Sequence, residues 1–204
     1  SHALFDSVRG ATKRHGTNST GAESTENTNL DSFDSNGFTV DNELIVNGSS
    51  DLMVAWGWKA GGSASSNSNG SITSSVSAST TAGFSIVSYT GNGSAGATVG
   101  HGLGTTPAMV IVKNRSEAFA WNCYHQSLGA TKYILLNSTD ASATGTTWNN
   151  TAPTSSVFSI GSTSGVNKNT NNLIAYCFAE KKGFSKFGSY TGNGNADGTF
   201  VYTG

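Results

Sequence analysis

Four histidines, two cysteines and a few carboxylates are the residues of this chain best equipped for chemistry. No two of His2, His15, His101 and His125 stand at metal-ligand spacing. Cys123 and His125 alternate with Tyr124, so a strand would place thiol and imidazole on one sheet face. Such a pair could serve as nucleophile and base. A packed cysteine beside a surface histidine is the simpler reading. Cys123 and Cys177 each sit in an apolar strand pattern without a CxxC partner. That reads as two small core residues, with a single bridge between them as the alternative. Carboxylates gather at Asp31, Asp34, Asp41, Glu43 and Asp51. Paired acids serve glycoside hydrolysis, and oxygen-rich loops hold calcium. Residues 31–37 lack the later bidentate acid of an EF-hand, so a solvated turn is expected there.

The remaining motifs are equally spare. There is no GxSxG elbow, HExxH pair, P-loop or GxGxxG opening a helix. Gly100-His101-Gly102-Leu103-Gly104 is followed by Thr105-Thr106-Pro107 and a strand-like run, which predicts a tight β-turn rather than an anion cradle. No catalytic residue, metal or cofactor is expected. Aromatic rings remain as possible sugar platforms, since a pyranose face stacks on Trp or Tyr while amides bond its hydroxyls. Trp56 and Trp58 lie on an apolar run and read as core. Trp148, in the polar stretch Thr147-Trp148-Asn149-Asn150, is the best candidate for an exposed contact. The candidate ligand-binding set is therefore Trp148, Asn149, Asn150 and Tyr124.

These side chains must be positioned by strands. Runs at 84–89, 108–113, 132–137, 157–160 and 173–179 are short and apolar, and Gly, Ser, Thr and Asn clusters separate them. No segment holds a 3.6-residue apolar period. Such spacing predicts an all-β chain: an antiparallel β-sandwich, jelly-roll or concanavalin-like.

The strands also recur. Gly10-Ala11-Thr12-Lys13 returns as Gly129-Ala130-Thr131-Lys132, and Met53-Val54-Ala55-Trp56-Gly57-Trp58 aligns with Leu173-Ile174-Ala175-Tyr176-Cys177-Phe178. Val46-Asn47 returns as Val166-Asn167, and Ser88-Tyr89-Thr90-Gly91-Asn92-Gly93 as Ser189-Tyr190-Thr191-Gly192-Asn193-Gly194. The pattern predicts an internal repeat of roughly 100–120 residues. Residues 1–60 would be the later part of a first unit and 83–182 a complete second unit. Residues 61–82, nearly all Gly, Ser, Ala, Thr and Asn, read as a connector or exposed loop, with a possible edge strand at 71–77. Residues 183–204 would open a further unit, or complete the one begun by 1–60.

Composition narrows the function classes. Ser, Thr, Asn and Gly account for 102 of 204 residues, and charged residues for 11%. The formal net charge of -1 offers no basic field for phosphate backbones, so no nucleic-acid partner is expected. No apolar run is long enough to cross a membrane as a helix, and no membrane insertion is expected.

The order of motifs supplies a likeness. Residues 83–93, then Val99-Gly100-His101-Gly102-Leu103-Gly104, Pro107 and 109–115, resemble an uncharacterised repeat domain of tailed-bacteriophage fibre proteins, common in marine phages. Trp121-Asn122-Cys123-Tyr124-His125 and Ala175-Tyr176-Cys177-Phe178-Ala179-Glu180 add to it. The resemblance implies a non-enzymatic virion protein, a tail- or head-fibre module for host-surface attachment or fibre architecture. It would be made in the bacterial cytoplasm and carried on the particle surface. Its partners would be other virion proteins and a host glycan or protein, in a homo-oligomer, by analogy a trimer. A free lectin-like carbohydrate-binding module is the alternative, and a glycan depolymerase a weaker one.

Overall fold

The structure, a computed structural model, describes residues 2–203. It is all-β, and its centre is one antiparallel sheet of eight strands. The order across that sheet is β13 (Ala143–Thr144), β12 (Lys132–Leu135), β11 (Asn122–His125), β10 (Met109–Asn114), β15 (Asn172–Phe178), β8 (Phe84–Thr90), β7 (Ser74–Ser79) and β6 (Ser65–Asn67). Strands β10 and β15 read as continuous apolar runs because both of their faces are covered. Leu173, Ala175 and Cys177 face one cluster, and Ile174 and Tyr176 face the other.

A two-stranded sheet covers the first face. It pairs β9 (Ala97–Gly100) with β14 (Val157–Ile160) in the register Val99 to Phe158. Val99, Phe158 and Ile160 close the larger core with Val87, Val110 and Val112. The layers make a β-sandwich. A short helix α2 (Ser164–Asn167) follows β14, and the Tyr89 hydroxyl donates to its Val166 carbonyl at 2.7 Å.

The N-terminal residues cover the second face. Strands β1 (Leu4–Asp6), β2 (Gly10–His15) and β3 (Ser24–Thr25) form a separate three-stranded sheet. Leu4 and Val8 pack on the cluster of Phe84, Ile86, Trp121, Ile174 and Tyr176. A small hairpin follows, β4 (Leu30–Phe33) with β5 (Phe38–Val40), and then helix α1 (Leu44–Asn47).

Two sequence expectations need correction. Residues 61–82 are not a connector: they supply β6 and β7, and Ile72 and Val76 are buried in the main core. Serine has little strand preference of its own, and here pairing of β7 with β8, with Ile72 and Val76 buried, holds this side of the sheet. Conversely, residues 53–58 form no strand. Trp56 is 76% exposed and Trp58 59%, so the apolar run read as core stands open to solvent. No neighbouring strand among the described residues pairs with it.

Candidate functional site

The loop singled out by sequence is built from two consecutive left-handed residues, Asn149 (φ 50°) and Asn150 (φ 51°). Asparagine tolerates that conformation better than most residues. Asn149 N donates to Thr146 O at 2.9 Å and Thr151 N to Trp148 O at 3.0 Å, which closes the loop on itself. The result turns Trp148 inward. Its ring is 2% exposed and meets Tyr124 edge-on, with centroids 6.0 Å apart. Tyr124 is also buried, and burial raises its phenol pKa. The expected sugar platform is therefore a core contact, two aromatic rings packed edge to face within the larger core cluster. Asn150 remains exposed and Asn149 half-buried, beside Gly96.

The cysteines are both free and buried. Burial pushes each thiol up to about 12, which keeps it protonated and inert. His125 turns its Nδ1 to the Ser127 N–H instead of to Cys123. His101 is fully buried in its glycine turn; its Nδ1 accepts from Leu103 N and its Nε2 faces Thr154 O. Burial lowers its pKa, so it stays neutral.

The densest gathering of ionisable groups lies elsewhere, between β1–β3 and the eight-stranded sheet. Asp6 accepts from the Arg9 guanidinium, the Arg9 backbone N–H and the Tyr176 hydroxyl. Glu23 accepts from Arg9 at 3.2 Å and from Arg115 at 2.8 and 2.9 Å. Burial would raise the Glu23 pKa, but the hydrogen bonds and charges of Arg115 and Arg9 outweigh it and hold the carboxyl below its ordinary range. His15 is buried edge-on against Trp121, and neither ring nitrogen has a hydrogen-bond partner among the described residues, although Nε2 lies 3.9 Å from Glu23 Oε2. Burial, then the charges of Arg9 and Lys113, lower its pKa to about 3. Lys113 is 0% exposed, and its ammonium donates to the carbonyls of Thr20, Asn114 and Phe119. Burial brings it down to about 8, so it remains charged at neutral pH.

Each carboxylate in this cluster is matched by guanidinium or hydroxyl donors, and the imidazole is neutral and enclosed. The arrangement is suited to clamping two layers together. Sequence reading missed it because its members are far apart in the chain. The one available signal was Lys113, a charge at the end of the buried run Val110-Ile111-Val112.

Two surface depressions accompany these features. One, of about 360 Å3, is a shallow patch of hydroxyls from Ser66, Thr73, Ser75, Ser88 and Thr90. The other, of about 220 Å3, is apolar and lies between Trp58, Phe84, Phe178, Phe184 and Phe187. No group of three or more potential metal ligands occurs among the described residues.

The model of a family described as a domain of unknown function, DUF7483, matches residues 1–204. No curated protein and no solved structure matches the chain.

Proposed function

The chain thus belongs to the DUF7483 family, and we propose, from the order of its motifs and the use of its ionisable side chains, that it is a non-enzymatic structural module of a tailed-phage fibre, working in host-surface attachment or fibre architecture. The observation that carries this reading is where the ionisable side chains go. Asp6, Arg9, Glu23, Lys113 and Arg115 are spent on joining layers, which is what a load-transmitting module needs. The order of motifs across 83–115 supports the phage context, as does a surface rich in hydroxyls and amides. Repeat units of roughly 100–120 residues, joined head to tail, would build such a fibre. Homotrimers and a place on the particle surface follow from the same analogy. The lectin-like alternative is weakened, because its named platform, Trp148, is in the core.

The test is attachment. Labelled protein is applied to a panel of bacterial hosts and to a glycan array, beside a copy carrying Asn149→Ala and Asn150→Ala. Binding to one host, insensitive to those two changes, is the expected result for an attachment module whose contact lies elsewhere. Release of reducing ends from host polysaccharide would overturn the non-enzymatic reading.

A further inference from the structure

Residues 41–51 and 161–171 build the same turn, hydrogen bond by hydrogen bond. Val46 N and Asn47 N donate to Glu43 O at 3.0 and 2.9 Å; Val166 N and Asn167 N donate to Thr163 O at 3.0 and 2.9 Å. Asn47 Nδ2 donates to Asp41 O at 2.9 Å, as Asn167 Nδ2 does to Gly161 O. Ser50 (φ 66°) and Thr170 (φ 68°) share the left-handed region.

The later turn holds a strand end. Asn92 N donates to Asn167 Oδ1, Gly93 N to Asn167 O, Gly91 N to Asn171 O and Thr170 N to Gly91 O. Tyr89 reaches the Val166 carbonyl. The corresponding groups of the earlier turn are Val46 O, Asn47 O and Oδ1, Ser50 N and Asp51 O. They have no hydrogen-bond partner among the described residues.

A matching strand end exists in this chain. Tyr190-Thr191-Gly192-Asn193-Gly194 repeats residues 89–93 letter for letter. It is already shaped for the role: Gly194 has φ 65° against 72° at Gly93, and Asn195 N donates to Asn193 Oδ1 as Ser94 N does to Asn92 Oδ1. At Gly91 an added Cβ would stand 2.3 Å from Lys168 O, so the docked position demands glycine; Gly192 keeps glycine although nothing surrounds it here. The flanking apolar residues are exposed on both sides, Phe38 and Trp56 on one, Phe184, Tyr190 and Phe200 on the other.

We propose that residues 184–202 dock on residues 38–58 of the same chain, in the register that β8 and β9 take on β15 and β14. Trp58 then pairs with Phe184, as Phe178 does with Phe84, and Phe38 with Phe200, as Phe158 does with Val99. Gly188, the extra residue relative to 84–90, takes up a bulge. The occupant is the chain's own segment because Trp58 and Phe184 already line one cavity, so the starts of the two segments lie at the same place on the sheet. A tethered strand that starts in place has an effective concentration on the order of millimolar, well above that of a second copy.

Thr39 and Thr199 correspond to the paired Ser159 and Thr98, and both are exposed. The doubly substituted chain Thr39→Cys, Thr199→Cys should form an intrachain disulfide on mild oxidation and run as a monomer. Thr39→Cys with Val201→Cys, two residues out of register, should not close. The buried Cys123 and Cys177 stay out of the reaction. Hydrogen exchange on the unmodified protein gives a second readout. The amides of Gly192 and Gly194 should exchange about a hundredfold more slowly than free chain, and Asn47→Ala should abolish that protection while leaving Gly91 and Gly93 protected. Interchain disulfides, or Gly192 and Gly194 exchanging at the free-chain rate, overturn the proposal.

Discussion

The Lys113 ammonium is surrounded by three carbonyls at 2.8–3.1 Å, one for each N–H, with the Trp121 ring 6.0 Å from it. Thr20 comes from the N-terminal layer, Asn114 from the end of β10 and Phe119 from the loop between β10 and β11, so one side chain ties that layer to the central sheet. Lys113→Met keeps much of the volume but leaves three acceptors unpaired, and should cost about 3 kcal/mol, read as a lower urea midpoint with unchanged slope. His15 is the neighbouring case. Its pKa is about 3 in the folded protein, against an ordinary value of 6.5. Between those values the unfolded chain binds the proton and the folded one refuses it, so stability falls as pH drops through that window. Glu23 softens the effect, but the charges of Arg9, Lys113 and Arg115 oppose protonation. The His15 contribution should approach 1.4 kcal/mol per pH unit within the window. It is measured as the difference in slope between the native chain and His15→Phe, and equal slopes would sink the idea.

Among the elements, the strands of the second half were legible because each is an apolar run closed by turn residues. Residues 84–89, 108–113 and 173–179 fall on β8, β10 and β15. Of the Ser-rich strands, β7 showed only as a weak edge-strand pattern at 71–77 and β6 not at all, since such segments carry little apolar signal and owe their conformation to pairing, β7 on β8 and β6 on β7. Trp148 was misread for a related reason: a tryptophan between polar residues looks exposed until two left-handed asparagines turn it inward. The polar residue that most organises an element was seen only as part of a repeat. Asn167 is fully buried; its side chain donates to Ser94 O and Gly161 O and accepts from Asn92 N and Gly93 N. It joins α2 to the β8–β9 turn and to the end of β14. Asn167→Ala strands those groups in a dry site and should cost about 2–3 kcal/mol, whereas Asn169→Ala, in the neighbouring turn, should be near neutral. Thermal melts of the two variants decide it.

For the whole molecule, the question is whether the N-terminal layer is a separate folding unit or part of the sandwich. The eye sees a separate three-stranded sheet, but the contacts argue otherwise. Trp121 Nε1 donates to Gly16 O and Ser19 O, Glu23 N to Arg115 O, and Tyr176 to Asp6. The three partners on the central-sheet side, Arg115, Trp121 and Tyr176, lie just after β10, just before β11 and within β15, at the middle of the molecule. A two- or three-stranded sheet with this little apolar area does not stand alone in water. Opening it would expose Trp121, Ile174 and the Asp6–Arg9 pair together, which costs more than the layer could recover by staying folded. The N-terminal layer should therefore open only with the sheet. In native-state hydrogen exchange, the amides of Thr12 to Arg14 should share the opening free energy of Val110 to Val112, and denaturant should affect both with one slope. Glu23→Gln weakens the bridge to Arg115 and should split the two groups, letting the N-terminal amides exchange first while the β10 amides keep their native protection. Early, independent exchange of residues 12–14 in the unsubstituted chain would instead make the layer a detachable cover.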